Sequence, residues 1–192
     1  RFGFGLQLDS GGIVRGSRGA RIAANDGAGV TLSDGAFLEL PEAEISDNGG
    51  EGVACPRRCY LALNSARIEG NESSGVIMAD GAVADLSNAI IDSNAQFGVL
   101  AERGSIVNLS NATVQRSGFA GVQVASMSWG NVSQATLSGN NARALGTQAQ
   151  LVAKTTAYLA ISNGTELDGN NPLTRPAIDN PVPLSPISVD ND

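Results

Sequence analysis

Apolar and polar residues alternate along this chain in short runs, as in Ala82-Val83-Ala84-Asp85-Leu86 and Ser105-Ile106-Val107-Asn108-Leu109, and Gly, Asn, Asp and Ser close each run. A period of two is that of a strand with one buried side, and the closing residues are those that turn a chain. The runs themselves recur. Segments starting at Ala20, Ala43, Ala66, Ala89, Ala112 and Ala135 open with Ala, any residue, then Ile22, Ile45, Ile68, Ile91, Val114 or Leu137, a spacing of 23 each time. Three residues on stand Asn25, Asn48, Asn71, Asn94, Ser117 and Asn140, and later Val30, Val53, Val76, Val99, Val122 and Leu145, each behind a glycine except the last, which follows Ala144. No insertion interrupts the five segments from Ala20 to Gln134. Three short strands bounded by turn residues, repeated at two dozen residues, predict one coil of a solenoid whose strands stack on those of the next.

Leucine-rich repeats have a similar period but need denser leucine and a helical side, and a hexapeptide coil must be divisible by six, which 23 is not. The recurring Gly-Val, Gly-Ala-x-x-x-Leu, Ser-Asn-Ala-x-Ile and Asp-x-Asn pieces, together in Ser87-Asn88-Ala89-Ile90-Ile91-Asp92-Ser93-Asn94, resemble the right-handed parallel β-helix superfamily over residues 11–171. That superfamily includes pectate lyases, polygalacturonases, phage tailspikes and surface adhesins. The expected fold is all-β, a right-handed parallel β-helix of about six to seven 23-residue coils. Residues 1–19 read as an irregular or partial coil and 20–171 as the repeats, with an insertion at about 145–163. Residues 172–192 hold five of the seven prolines and read as an extended tail.

Composition narrows the chemistry. With no histidine among 192 residues, no Ser-His-Asp or Cys-His system and no imidazole metal site can form, so any reaction would rest on carboxylates, Arg, Lys or Tyr. Twelve Lys and Arg against 19 Asp and Glu give a net charge of −7, a surface that repels nucleic acid and anionic lipid. No apolar run approaches the ~20 residues of a membrane span. The start at Arg1 shows neither an initiator Met nor a signal sequence, which suits a processed or trimmed chain. Cys55 and Cys59 cannot complete a zinc site alone, and their C-x3-C spacing is not that of redox enzymes. A local disulfide is expected, with two buried thiols as the alternative, and a disulfide points to an extracellular or cell-surface protein.

Stacked coils place equal positions ~4.8 Å apart, so like charges there should be avoided. Asp34, Arg57, Asp80 and Arg103 share one position and alternate in sign, as do Arg21, Glu44 and Arg67 at another. Both read as structural ladders, with the asparagines from Asn25 to Asn140 as a third. Placing Ala36, Leu38, Leu40, Ala82, Ala84, Leu86, Ser105, Val107 and Leu109 inward leaves Phe37, Tyr60, Val83, Ile106 and Trp129 outward at one repeated position. Such a stripe suits a cover from the proline-rich tail or an N-terminal segment, a lateral contact with another chain in an oligomer or fibre, or a stacking platform for sugars. At the last step the indole of Trp129 could instead fill the space left by Gly130.

An enzyme would need a site, and Glu69 and Asp92 fall at one outward position of adjacent coils, with Arg67 and Arg116 nearby. Carboxylates so placed could share a proton, bind calcium or serve as acid and nucleophile on a glycosidic bond. The opposing expectation is that arginines neutralise them. No lyase or polygalacturonase signature is present, and the uninterrupted coils supply no loops to wall a cleft. Acceptor motifs for N-glycosylation begin at Asn71, Asn108, Asn111, Asn131 and Asn163, in a sequence whose corners produce them by accident. The expected function is a non-catalytic extracellular or cell-surface scaffold, without a cofactor, that binds a protein, a sister subunit or a glycan through its long face. A polysaccharide lyase or hydrolase and a segment of a larger fibre or tailspike are the alternatives.

Overall fold

The structure, a computed structural model, describes residues 3–140, 151–154, 156–162, 164–168, 177–179 and 188–190. Among them there is no helix, and each coil but the last contributes one short strand to each of three parallel sheets. In one coil the strands are Val53–Cys55, Tyr60–Ala62 and Arg67–Glu69, which belong to what are called here the first, second and third sheets. The first and second sheets hold eight strands each and the third seven among the described residues, all running from one coil to the next without a crossover. The molecule is a β-solenoid. Val53 stands over Val30 and under Val76, Leu61 over Leu38 and under Ala84, and Ile68 over Ile45 and under Ile91, the register that the 23-residue spacing predicts.

The sheets differ in how they face the core. In the first, the flanking residues of each three-residue strand point inward and the middle one outward, so Val53 and Cys55 are buried and Ala54 is half-exposed. In the other two only the middle residue points inward, as Leu61 and Ile68 do. Leu32, Leu38, Ile45, Leu61, Ile68, Met78, Ile91 and Leu137 are among the largest fully buried side chains of a core one residue deep from each wall. Interior positions are aliphatic because there is little room between facing sheets and every buried CH₂ adds roughly 0.8 kcal/mol.

The corner between the third and first sheets is built from the recurring asparagines. Asn25 Nδ2 donates to Asn48 Oδ1 at 2.8 Å, Asn48 Nδ2 to Asn71 Oδ1 at 2.8 Å and Asn71 Nδ2 to Asn94 Oδ1 at 2.9 Å, and each backbone N–H joins the same acceptor at 3.2 Å. Asn94 Nδ2 turns to the carbonyl of Ile68. Glycine recurs beside the ladder because nothing larger fits. A Cβ on Gly52 would lie 2.8 Å from Asn71 Nδ2 and 2.7 Å from the carbonyl oxygen of Gly75.

Cys55 and Cys59 form a disulfide across the corner between the first and second sheets, with Cα atoms 6.1 Å apart and both residues in the core. Arg58 takes a left-handed φ of 44° there, where the neighbouring coils place Gly35 and Gly81. After the fifth segment Val122 pairs with Leu151, 29 residues on, so the coil is longer, and part of the expected 145–163 insertion lies outside the described residues. Most of 172–192 lies outside them too. Its two described stretches, Ala177–Asp179 and Ser188–Asp190, each add a parallel strand, to the first and second sheets respectively.

Candidate functional site

Two outer faces carry the residues singled out in the sequence. On the second sheet, the first residue of each strand forms a continuous row, Ile13, Phe37, Tyr60, Val83, Ile106, Trp129 and Tyr158, fixed by strand pairing one coil at a time. Exposure runs from 65% at Ile13 through 42%, 44%, 39% and 41% at Tyr60, Ile106, Trp129 and Tyr158, while Phe37 and Val83 are half-buried. The indole of Trp129 does not fill the space at Gly130. A Cβ there would lie 2.9 Å from both Val124 and Leu159, so neighbouring inward side chains occupy that volume and the indole stays outside.

Two rings of this row, Phe37 and Tyr60, are set on edge. Phe37 and Tyr60 stack face to face with centroids 5.1 Å apart and an interplanar angle of 0°, and the Arg15 guanidinium carbon lies 5.2 Å from the Phe37 centroid. Their faces are thus turned along the solenoid axis, toward neighbouring side chains, and their edges toward solvent. Beside the apolar row runs a polar one, Arg15, Glu39, Ala62, Asp85, Asn108, Asn131 and Ala160. Its members bond among themselves: Arg15 with Glu39 at 3.2 Å, Asn108 Nδ2 to Asp85 Oδ1 at 3.1 Å and Asn131 Nδ2 to Asn108 Oδ1 at 3.1 Å.

The third sheet faces outward with charge. Glu69 and Asp92 are paired across adjacent coils, as their spacing implies. Each is held by an arginine. Arg67 holds Glu69 at 2.7 Å, and that hydrogen bond is the main reason the Arg67 guanidinium is raised above its ordinary range. Asp92 is 3% exposed. It accepts from Ser93 Oγ on Oδ1 at 2.8 Å, and from Gln115 Nε2 at 3.0 Å and Arg116 on Oδ2. A nucleophile or proton acceptor needs a free oxygen facing substrate, and the contacts of Asp92 leave neither oxygen in that state. Among the described residues no three acidic or cysteine side chains gather as a metal site would require.

The glycosylation motifs separate in the same way. Asn71 is buried in the inner ladder, and the amides of Asn108 and Asn131 are committed to the polar row. Asn111 is exposed at a corner with φ 58°, and Asn163 lies outside the described residues.

The family comparison agrees with the parallel solenoid, since the description of a right-handed β-helix region matches residues 3–171. The chain belongs to the right-handed β-helix family. No curated protein matches the sequence of this β-helix. Among solved structures, HetL, a pentapeptide repeat protein involved in heterocyst differentiation regulation from the cyanobacterium Nostoc sp., aligns over 80% of this chain and 89% of its own. Identity is 13% and the TM-score 0.16, so the likeness says nothing of what the β-helix does.

Sequence reasoning missed the two ends of the apolar row. Ile13 lies 24 residues before Phe37 and Tyr158 lies 29 after Trp129, both off the period of 23 that revealed the rest. The clue for each was local: Ile13-Val14-Arg15 and Tyr158-Leu159-Ala160 repeat the sequence of an outward, an inward and an outward residue.

Proposed function

We propose that this β-helix is a non-catalytic, exported scaffold, at the cell surface or outside the cell, whose working surface is the outer face of the second sheet. The observation that carries the reading is the unbroken row from Ile13 to Tyr158, with a large exposed side chain at five of its seven steps. The largest apolar patch on a protein surface is often its contact site, and this strip runs unbroken over seven coils. The disulfide supports export, because such bonds persist in oxidising compartments. The arginine-bound Glu69 and Asp92 weigh against a polysaccharide lyase or hydrolase.

Sister subunits, other proteins and glycans are all possible partners for such a face. Sugar rings stack on open aromatic faces. At Phe37 and Tyr60 those faces are taken by one another and by Arg15, which leaves Trp129 and Tyr158 as the positions for a glycan.

The test is an incubation of the purified chain with neutral and acidic polysaccharides, following reducing ends and bound polymer together. The expected result is no turnover, with any binding reduced in the Tyr60→Asp, Trp129→Asp double variant. Turnover that disappears in Glu69→Gln or Asp92→Asn would overturn the scaffold reading in favour of the enzyme.

A further inference from the structure

We infer that the occupant of this face is a second copy of the same chain, docked with its coils in reverse order; this rests on the reading of the second sheet as a contact surface. The inference comes from the order of side chains. From Phe37 to Tyr158 the row reads aromatic, aromatic, aliphatic, aliphatic, aromatic, aromatic: Phe37, Tyr60, Val83, Ile106, Trp129, Tyr158. That is a palindrome in chemical class. A two-fold axis along the strands, passing between Val83 and Ile106, turns one copy onto the other with the two sheets face to face and the rows superposed. Phe37 then meets Tyr158 of the other copy, Tyr60 meets Trp129 and Val83 meets Ile106, each contact made twice. A two-fold contact of this kind must be self-complementary, and these six positions are, with Ile13 left beyond the pairing at one end.

The polar row chooses the register independently. With the axis between Val83 and Ile106, Asp85 faces Asn108 of the other copy, Ala62 faces Asn131 and Glu39 faces Ala160, so no like charges oppose one another. Centring the axis on Val83 would set Asp85 against itself, which is unfavourable. Reversing strands rather than coils, with the axis over the apolar row, would set each apolar residue against itself and move the polar row off its partners, so that Glu39, Asp85 and Asn108 would face the corner glycines Gly35, Gly81 and Gly104. The edge-on rings fit as well. Parallel rings about one strand spacing apart form ridges that side chains of an opposed sheet can enter, as in face-to-face sheet packing.

The size of the face sets the strength. Six coils at ~4.8 Å and a three-residue strand with its corners give roughly 400 Å² per copy, about 800 Å² in all, less than the ~1,000 Å² of a stable interface and of the size of a transient contact. The dimer is therefore weak and reversible, with a dissociation constant on the order of 100 µM.

Sedimentation equilibrium on the intact chain from ~10 µM to ~500 µM tests it at concentrations that span that constant. Mass is expected to rise from 19.5 kDa toward twice that value. Tyr60→Asp and Trp129→Asp, each checked for native circular dichroism, are expected to stay monomeric. Register is read by mixing Ala62→Cys with Asn131→Cys chains under mild oxidation. The mixed 62-to-131 crosslink should dominate, because two copies of position 62 lie about three coils, ~14 Å, apart along the axis. A monomer throughout, association that both aspartate variants leave unchanged, or a dominant 62-to-62 crosslink would each overturn the dimer. A monomer without turnover overturns the dimer alone and leaves the contact-face reading standing, whereas turnover abolished by Glu69→Gln overturns that reading whatever the mass.

Discussion

The inner asparagine ladder and the outer charge ladders obey the same 23-residue repeat, yet they do different work. Asn48, Asn71 and Asn94 are at most 1% exposed, and every rung uses the amide of one coil to satisfy the next. Arg57 and Asp34, 3.2 Å apart, or Arg21 and Glu44, 3.0 Å apart, are nearer half-exposed. Water can replace a partner lost from the outer ladders but not one lost from the inner. Repetition of a polar residue therefore reveals register in both places, while burial decides how much stability depends on it.

The sharpest way to break this contrast is Asn71→Ala. It removes the acceptor for both the backbone and side-chain N–H of Asn48 and the donor to Asn94, and should cost about 3 kcal/mol in urea unfolding. A loss no larger than that of an exposed pair would make the ladders equivalent. Next comes a gain. Ser117 stands at the ladder position of the fifth segment, and its buried Oγ has no hydrogen-bond partner among the described residues. Ser117→Asn would offer an acceptor to Asn94 and a donor to Asn140, and should raise stability by about 1 kcal/mol, seen as a higher melting temperature.

On the exposed side the effects shrink. Arg57→Asp sets three carboxylates in line with Asp34 and Asp80, and should cost about 0.5 kcal/mol in low salt and less at high salt. Smallest is the pH response of Glu44. Hydrogen bonds from Arg21 and Ser46 hold its carboxyl below the ordinary value of 4.5, so its contribution is present above that pH and fades as the pH falls through the lowered folded value. Glu44→Gln should flatten the acid limb of the melting curve slightly and leave it unchanged near neutrality.

Most of the fold was legible because the chain repeats it. Residues that alternate at a fixed spacing in five segments specify strand, face and register together, and the inward set of Leu38, Ala84, Val107 and their neighbours is buried in the structure. Legibility ended where the spacing changed. The 24-residue step before Phe37 hid Ile13, and the 29-residue step hid Tyr158. Side-chain partners were harder to foresee than positions. Arg67 stacks on Glu44 by its spacing, but it makes a 2.7 Å bond with Glu69 two residues along its own strand, a choice set by rotamers and not by register. Likewise the spacing paired Glu69 with Asp92 without revealing that Arg116, Gln115 and Ser93 enclose the latter.

The asparagine ladder also has a direction. Asn25, Asn48 and Asn71 each give an amide hydrogen to the coil that follows, and Asn48, Asn71 and Asn94 each take one from the coil before, with no rung reversed. A string of like-oriented amides has polarity in the way a helix does, and every link polarises the next. Removing one rung thus injures its two neighbours differently, stripping an acceptor from the earlier coil and a donor from the later. Heard from inside the column, the coils are not interchangeable beads but one-way relays, and a graft of coils from another solenoid would have to enter with its amides pointing the same way.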